Sequence, residues 1–79
     1  MNKIDLKNKL KAENVSGSIY SLDGGLPNEK LCLDFNGEFW IVYYSERGGR
    51  TGVKEFLSEE DACQYLYDAI NAIVTGKVR

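Results

Sequence analysis

The sequence predicts an α+β fold: an antiparallel β-meander of three to four strands packed against a C-terminal helix, with a short N-terminal helix, in the order α-β-β-β-β-α. Three observations carry this. Asn36-Gly37 separates two apolar runs, Lys30–Phe35 and Phe39–Ser45, and Asn-Gly suits a type I′ hairpin turn, whose central residues both need φ > 0. From Ser58 onward the apolar spacing changes from alternation to the three-and-four rhythm of a helix. Clusters of Gly, Pro, Asn and Asp punctuate the chain where turns are needed.

Taken in order, the first element is a helix over Asp5–Glu13, with Leu6 and Leu10 on one face, lysines around them, and Asp5 as cap or first-turn acid. So short a helix must be held by packing, not by propensity. Val15–Leu22 mixes Val, Ile and Tyr with Ser and Gly, giving a weak strand near Ser18–Leu22, and Asp23–Asn28 reads as a chain-reversing loop. A two-residue turn at Asn36-Gly37 pairs Phe35 with Glu38, Leu33 with Trp40 and Leu31 with Val42. One sheet face then carries Leu31, Leu33, Phe35, Trp40, Val42 and Tyr44, the other Cys32, Asp34, Phe39, Ile41 and Tyr43. A three-residue loop would exchange the faces of the second strand, since a one-step slip does so.

Glu46–Gly52 is expected as a polar loop rich in glycine and arginine, and Val53–Leu57 as a strand ending at Ser58. Ser58 and Asp61 form a capping box, and Glu59, Glu60 and Asp61 suit the positive end of the helix dipole. The predicted buried stripe is Ala62, Leu66, Ala69, Ile70 and Ile73, with Glu60, Gln64, Asp68 and Asn71 in water and Gly76 as the stop. This helix should cover the leucine-bearing face.

Composition narrows the function. The 79 residues (1–79) make one domain, burying about 60% of the unfolded surface, with little room for a deep substrate cavity. No apolar run approaches the ~20 residues of a membrane span, and Met1-Asn2-Lys3-Ile4-Asp5 opens no signal peptide, so a cytoplasmic protein is expected. Cys32 and Cys63 are expected as separate buried thiols. Histidine is absent, no carboxylate spacing looks catalytic, and neither an enzyme, a metal site nor a cofactor is expected. Net charge is −2, with +3 gathered in residues 1–11 and −5 in the rest, which disfavours nucleic acid and suits a basic protein partner, and the lack of a long apolar run argues against a membrane.

Two regions stand out as contact candidates. Arg47 and Arg50 in the glycine-rich loop can fork onto anions, although a solvated hairpin tip explains them equally well. Phe39, Ile41 and Tyr43, with Asp34 beside them, form either a binding patch or a face covered by Leu6 and Leu10 of the first helix. Tyr43, Tyr65 and Tyr67 are the better contacts, because tyrosine favours half-wet surfaces.

Tyr43–Gly52 (YYSERGGRTG) followed by Ser58–Asp68 (SEEDACQYLYD) resembles a group of small bacterial immunity proteins encoded beside polymorphic toxins, such as contact-dependent or type VII-secreted toxins. The likeness spans about Tyr20–Leu66. It implies a cytoplasmic antidote that binds one toxin domain, for example a basic nuclease, and blocks it stoichiometrically; no inhibitory motif carries over. On this reading the expected partner contacts are Tyr43, Glu46, Arg47 and Arg50, with Glu38, Asp34 and the acidic face of the C-terminal helix as alternatives. The rival is a double-stranded-RNA-binding domain, which needs lysines where this chain has Ser58-Glu59-Glu60-Asp61.

Overall fold

In the computed structural model, which describes residues 1–74, two helices lie on one face of a four-stranded sheet. The elements are α1 (Lys3–Ala12), β1 (Tyr20–Ser21), β2 (Lys30–Phe35), β3 (Trp40–Glu46), β4 (Gly49–Phe56) and α2 (Glu59–Val74), with the strands in the spatial order β1-β2-β3-β4. The expected α+β order holds. The expected stop at Gly76 lies outside the described residues.

α1 starts two residues earlier than expected because Asn2, not Asp5, caps it. The Asn2 side chain accepts from the Asp5 N–H at 2.8 Å, and the Asp5 carboxylate accepts from the Asn2 N–H at 3.3 Å, a reciprocal capping box. The helix ends in a Schellman pattern: Val15 N–H reaches Leu10 O and Asn14 N–H reaches Lys11 O, both at 3.0 Å, with Asn14 left-handed at φ 59°. That closure brings Val15 into the core beside Leu6 and Leu10. In α2, Ser58 Oγ accepts from the Asp61 N–H at 3.1 Å, as expected of the cap. Its buried stripe is Ala62, Cys63, Leu66 and Ile70; Ala69 is only half-buried and Ile73 is 45% exposed.

Sheet register differs from expectation in three places. First, Asn36-Gly37 is not a two-residue turn. Asn36 Oδ1 accepts from the N–H groups of Glu38 (3.0 Å) and Phe39 (2.7 Å), an Asx turn that widens the loop to Asn36–Phe39. Phe35 therefore lies opposite Trp40, Leu33 opposite Val42 and Leu31 opposite Tyr44. The slip is two residues, so each side chain keeps its predicted face.

Second, the expected loop over Glu46–Gly52 is mostly strand. The tight turn is Arg47-Gly48, with φ 51° and 74°, the type I′ signature, and β4 begins at Gly49 opposite Glu46. Tyr44 pairs with Thr51 but Val42 with Lys54, so Gly52 and Val53 both stand opposite Tyr43: a β-bulge, with Gly52 at φ 62° as the left-handed residue.

Third, the sheet is mixed, not a pure meander. β1 pairs with β2 in parallel, Tyr20 opposite Leu31 and Ser21 opposite Cys32. Residues 22–29 must therefore carry the chain back to the start of β2: Leu22 still packs in the core on the helix side and Asp23 pairs with Lys3 of α1, and residues 24–28 then cross the face away from the helices. There they run along β3: Tyr43 OH donates to Gly25 O at 2.6 Å, Ser45 Oγ to Pro27 O at 2.6 Å, and the Arg47 N–H to Asn28 Oδ1 at 3.4 Å.

The main core joins Leu6, Leu10, Val15, Leu22, Leu33, Val42, Ala62, Cys63, Leu66 and Ile70 between sheet and helices. Leu6 and Leu10 thus pack on the leucine-bearing face and leave the other face alone. That second face holds a small cluster, Cys32, Ile41 and Tyr43 with Phe39 against it, covered by residues 24–28 of the crossover. Cys32 and Cys63 are both buried and free, one on each side of the sheet.

Candidate functional site

Three of the expected contact residues meet on the covered face, and they meet as structure. Tyr43 is 1% exposed, its hydroxyl is engaged by Gly25, and the Arg50 guanidinium lies over its ring at 4.6 Å. The same guanidinium reaches Asp34 Oδ2 at 3.8 Å, while Asp34 Oδ1 accepts from the Phe35 N–H at 2.8 Å. Gly24 presses against that carboxylate so closely that a Cβ there would come within 2.4 Å of Asp34 Cγ. Burial raises the Tyr43 phenol, with the neighbouring Cys32 adding to it and Arg50 opposing, and burial likewise raises the Cys32 thiol. Tyr43 is thus withdrawn from any docking surface, a correction to its expected role; the alternation that put it on this face did not reveal the crossover above it.

The other expected contacts are scattered. Arg47 is exposed at the hairpin tip and Glu46 is half-buried at the end of β3. Glu38 is exposed in the β2–β3 loop at the opposite end of the sheet, about 20 Å away along β3 at ~3.3 Å per residue. Tyr67 is taken up internally: its hydroxyl donates to the Glu13 carboxylate at 2.7 Å, and Lys9 Nζ lies 5.1 Å from its ring. Tyr65, by contrast, is 40% exposed.

Tyr65 belongs to a surface that the sequence expectation does not contain. Where the sheet ends, Phe35, Trp40 and Phe56 lie side by side on the leucine-bearing face, paired across three strands. Phe35 and Trp40 have ring centroids 5.0 Å apart, and Phe56 and Tyr65 5.3 Å apart, two ring pairs brought together where Trp40 pairs with Phe56 across the strands. α2 buries only the stretch from Ala62 to Ile70, so it leaves this end open: Phe35 is 48% exposed and Leu57 86%. Around these rings stand Glu38 in the loop between Phe35 and Trp40, and Asp61 and Asp68 four residues before and three after Tyr65 on the same helix stripe, all exposed. Lys54, next to Phe56 on its strand face, is the opposing cation. The signal available in the sequence was three aromatics at strand ends flanking one turn.

At the other edge of the sheet a cleft of about 240 Å³ opens between α1 and β1, lined by Lys3, Lys7, Tyr20, Ser21, Leu22, Asp23 and Lys30. Lys3 Nζ pairs with Asp23 Oδ1 at 3.0 Å.

Among the described residues no three His, Cys, Asp or Glu side chains are grouped to hold a metal ion, and no helix is long and apolar enough to cross a membrane. No family model, curated protein or solved structure matches this chain.

Proposed function

We propose that this chain is an immunity protein: it binds one cognate bacterial toxin domain and neutralises it by stoichiometric occlusion, without turnover. The observation that supports this is the aromatic end of the sheet. Two neighbouring ring pairs, with Phe35 48% and Tyr65 40% exposed, form an apolar surface held by strand pairing and by α2. Aromatic anchors within a polar rim are what protein interfaces use as their energetic centres. Three carboxylates against one lysine make that rim acidic. A second copy docking the same surface on itself would set carboxylate against carboxylate, so the favoured occupant is a basic protein, and charge attraction would speed its capture. The resemblance in Tyr43–Gly52 and Ser58–Asp68 supplies the class of partner, a polymorphic toxin domain such as a basic nuclease. Arg47 and Glu46 at the far hairpin are secondary contacts in this reading.

The test is growth rescue on co-expression with the toxin domain encoded beside the gene. The parent chain restores growth, Phe35→Glu combined with Tyr65→Ala abolishes rescue, and Arg47→Ala weakens it, each variant keeping the parent's circular dichroism. Full protection by the Phe35/Tyr65 variant would overturn the surface assignment. Failure of the parent chain to protect, or turnover of a small molecule by it, would overturn the function.

A further inference from the structure

We infer that the cleft between α1 and β1 is a binding site for a small phosphate monoester. Three lysines, Lys3, Lys7 and Lys30, line a space of about 240 Å³ in a protein of net charge −2. The lysines of α1 are sorted in space: Lys9 turns toward Glu13 (3.5 Å) and the Tyr67 ring, whereas Lys3 and Lys7, one helical turn apart, both line the cleft. Like charges four residues apart oppose helix formation. Only one carboxylate answers them: Asp23 pairs with Lys3, and Lys7 and Lys30 have no ion pair among the described residues. The residues that line the cleft therefore carry a net charge of +2.

That remainder matches the charge of a phosphate monoester, which is close to −2 at neutral pH and offers three acceptor oxygens. A monocarboxylate would leave half of it unanswered. Each ammonium supplies three donors on a flexible stem, the point-charge mode of phosphate binding. Tyr20 also lines the cleft, and its hydroxyl, which has no hydrogen-bond partner among the described residues, is an available neutral donor. Size sets the upper bound. The cleft falls below the range of about 300–1,000 Å³ typical of small-molecule sites, so it takes a compact phosphorylated molecule and not a whole nucleotide. It lies on the β1 edge, away from Phe56 and the β4 edge, so occupancy there leaves the aromatic end free.

The experiment is an amide chemical-shift titration of the full chain with glycerol phosphate at constant ionic strength, read at Tyr20–Asp23. The parent shows saturable shifts confined to the cleft. Lys7→Gln with Lys30→Gln weakens binding on the order of tenfold or more, as expected when charged hydrogen-bond donors are removed. Asp23→Asn, which frees Lys3, tightens it. These side chains are exposed or half-buried, and unchanged thermal midpoints without ligand show that the variants fold. Linear, unsaturating shifts would overturn the site, as would equal binding by the double-glutamine variant or weaker binding by Asp23→Asn. So would a response only to a short oligonucleotide that lacks terminal phosphates, since that would indicate polyanion attraction instead.

Discussion

Replacing Gly24 by alanine should be among the most damaging single-methyl changes in this chain. Gly24 sits at φ 69°, and an added Cβ would lie 2.4 Å from Asp34 Cγ and 2.5 and 2.8 Å from its carboxylate oxygens. That carboxylate cannot swing away freely, because one oxygen holds the Phe35 N–H and the other faces Arg50. A non-glycine residue in the left-handed region costs about 1–2 kcal/mol. Forcing one carbon into a filled space costs about 1–3 kcal/mol more. The expected total is about 2–5 kcal/mol, against a whole-domain stability of about 4–12 kcal/mol for 79 residues. Even the low end lowers the thermal midpoint by about 8 °C. Urea titration followed by the fluorescence of Trp40, the single tryptophan, measures it. Two controls divide the effect. Gly37→Ala, at φ 97° with open space around it, carries the backbone cost alone, and Gly17→Ala, with nothing near its Cβ, should stay near the parent. In a double-mutant cycle Asp34→Ala should cost less in the Gly24→Ala background than in the parent. If Gly24→Ala and Gly37→Ala are equally destabilising, or if the cycle is additive, the close approach of crossover and sheet is wrong.

Other outcomes follow from the same contacts. Arg50→Ala should cost about 1 kcal/mol, because it removes the cation over the Tyr43 ring and the Asp34 pair, whereas Arg47→Ala should leave the melting curve unmoved. Calorimetry separates the two, and only Arg47 then reports on contact with a partner. Leu6→Ala, at a site with 0% exposure, should cost about 2–5 kcal/mol, and hydrogen exchange should show α1 losing protection first, since Leu6 and Leu10 are its only buried side chains. Burial pushes the Cys63 thiol from the ordinary 9.0 to about 11, and the nearby Glu59 adds to the shift. A raised thiol favours the folded state below the unfolded pKa, so stability holds up to about pH 9 and is lost as the pH climbs toward about 11. Melts at pH 8 and pH 10.5 should differ, and an unchanged midpoint would show that Cys63 is not buried as described.

What was legible in the sequence is what depends on parity and period. The two faces of β2 and β3 follow from alternation alone, and they survive a register error of two residues because two is the side-chain period. The Ser58 cap and the stripe through Ala62, Leu66 and Ile70 follow from helical spacing. What was not legible turns on which of two competing local geometries wins. Asn36 offers its side chain to the backbone as well as a left-handed conformation, and here the side-chain bonds prevail, whereas Arg47 enters the left-handed region against its own preference because Gly48 follows and both strands pair around it. The parallel pairing of β1 leaves almost no trace in a strand of two residues. It also withdraws Tyr43 from the candidate site, since the hydroxyl that marked it as a half-wet contact is satisfied by the Gly25 carbonyl.

The bulge at Gly52 and Val53 has a bearing on solubility. β4 is the longest strand, every residue but Phe56 is exposed, and among the described residues its outer side has no neighbour in the sheet. Eight straight residues of that kind would template addition of a strand from any passing chain, the first step toward fibrils. The supernumerary residue interrupts the outward-facing ladder midway, and Arg50, Lys54 and Glu55 flank the interruption with charge. An edge broken and charged in this way is a poor template for strand addition.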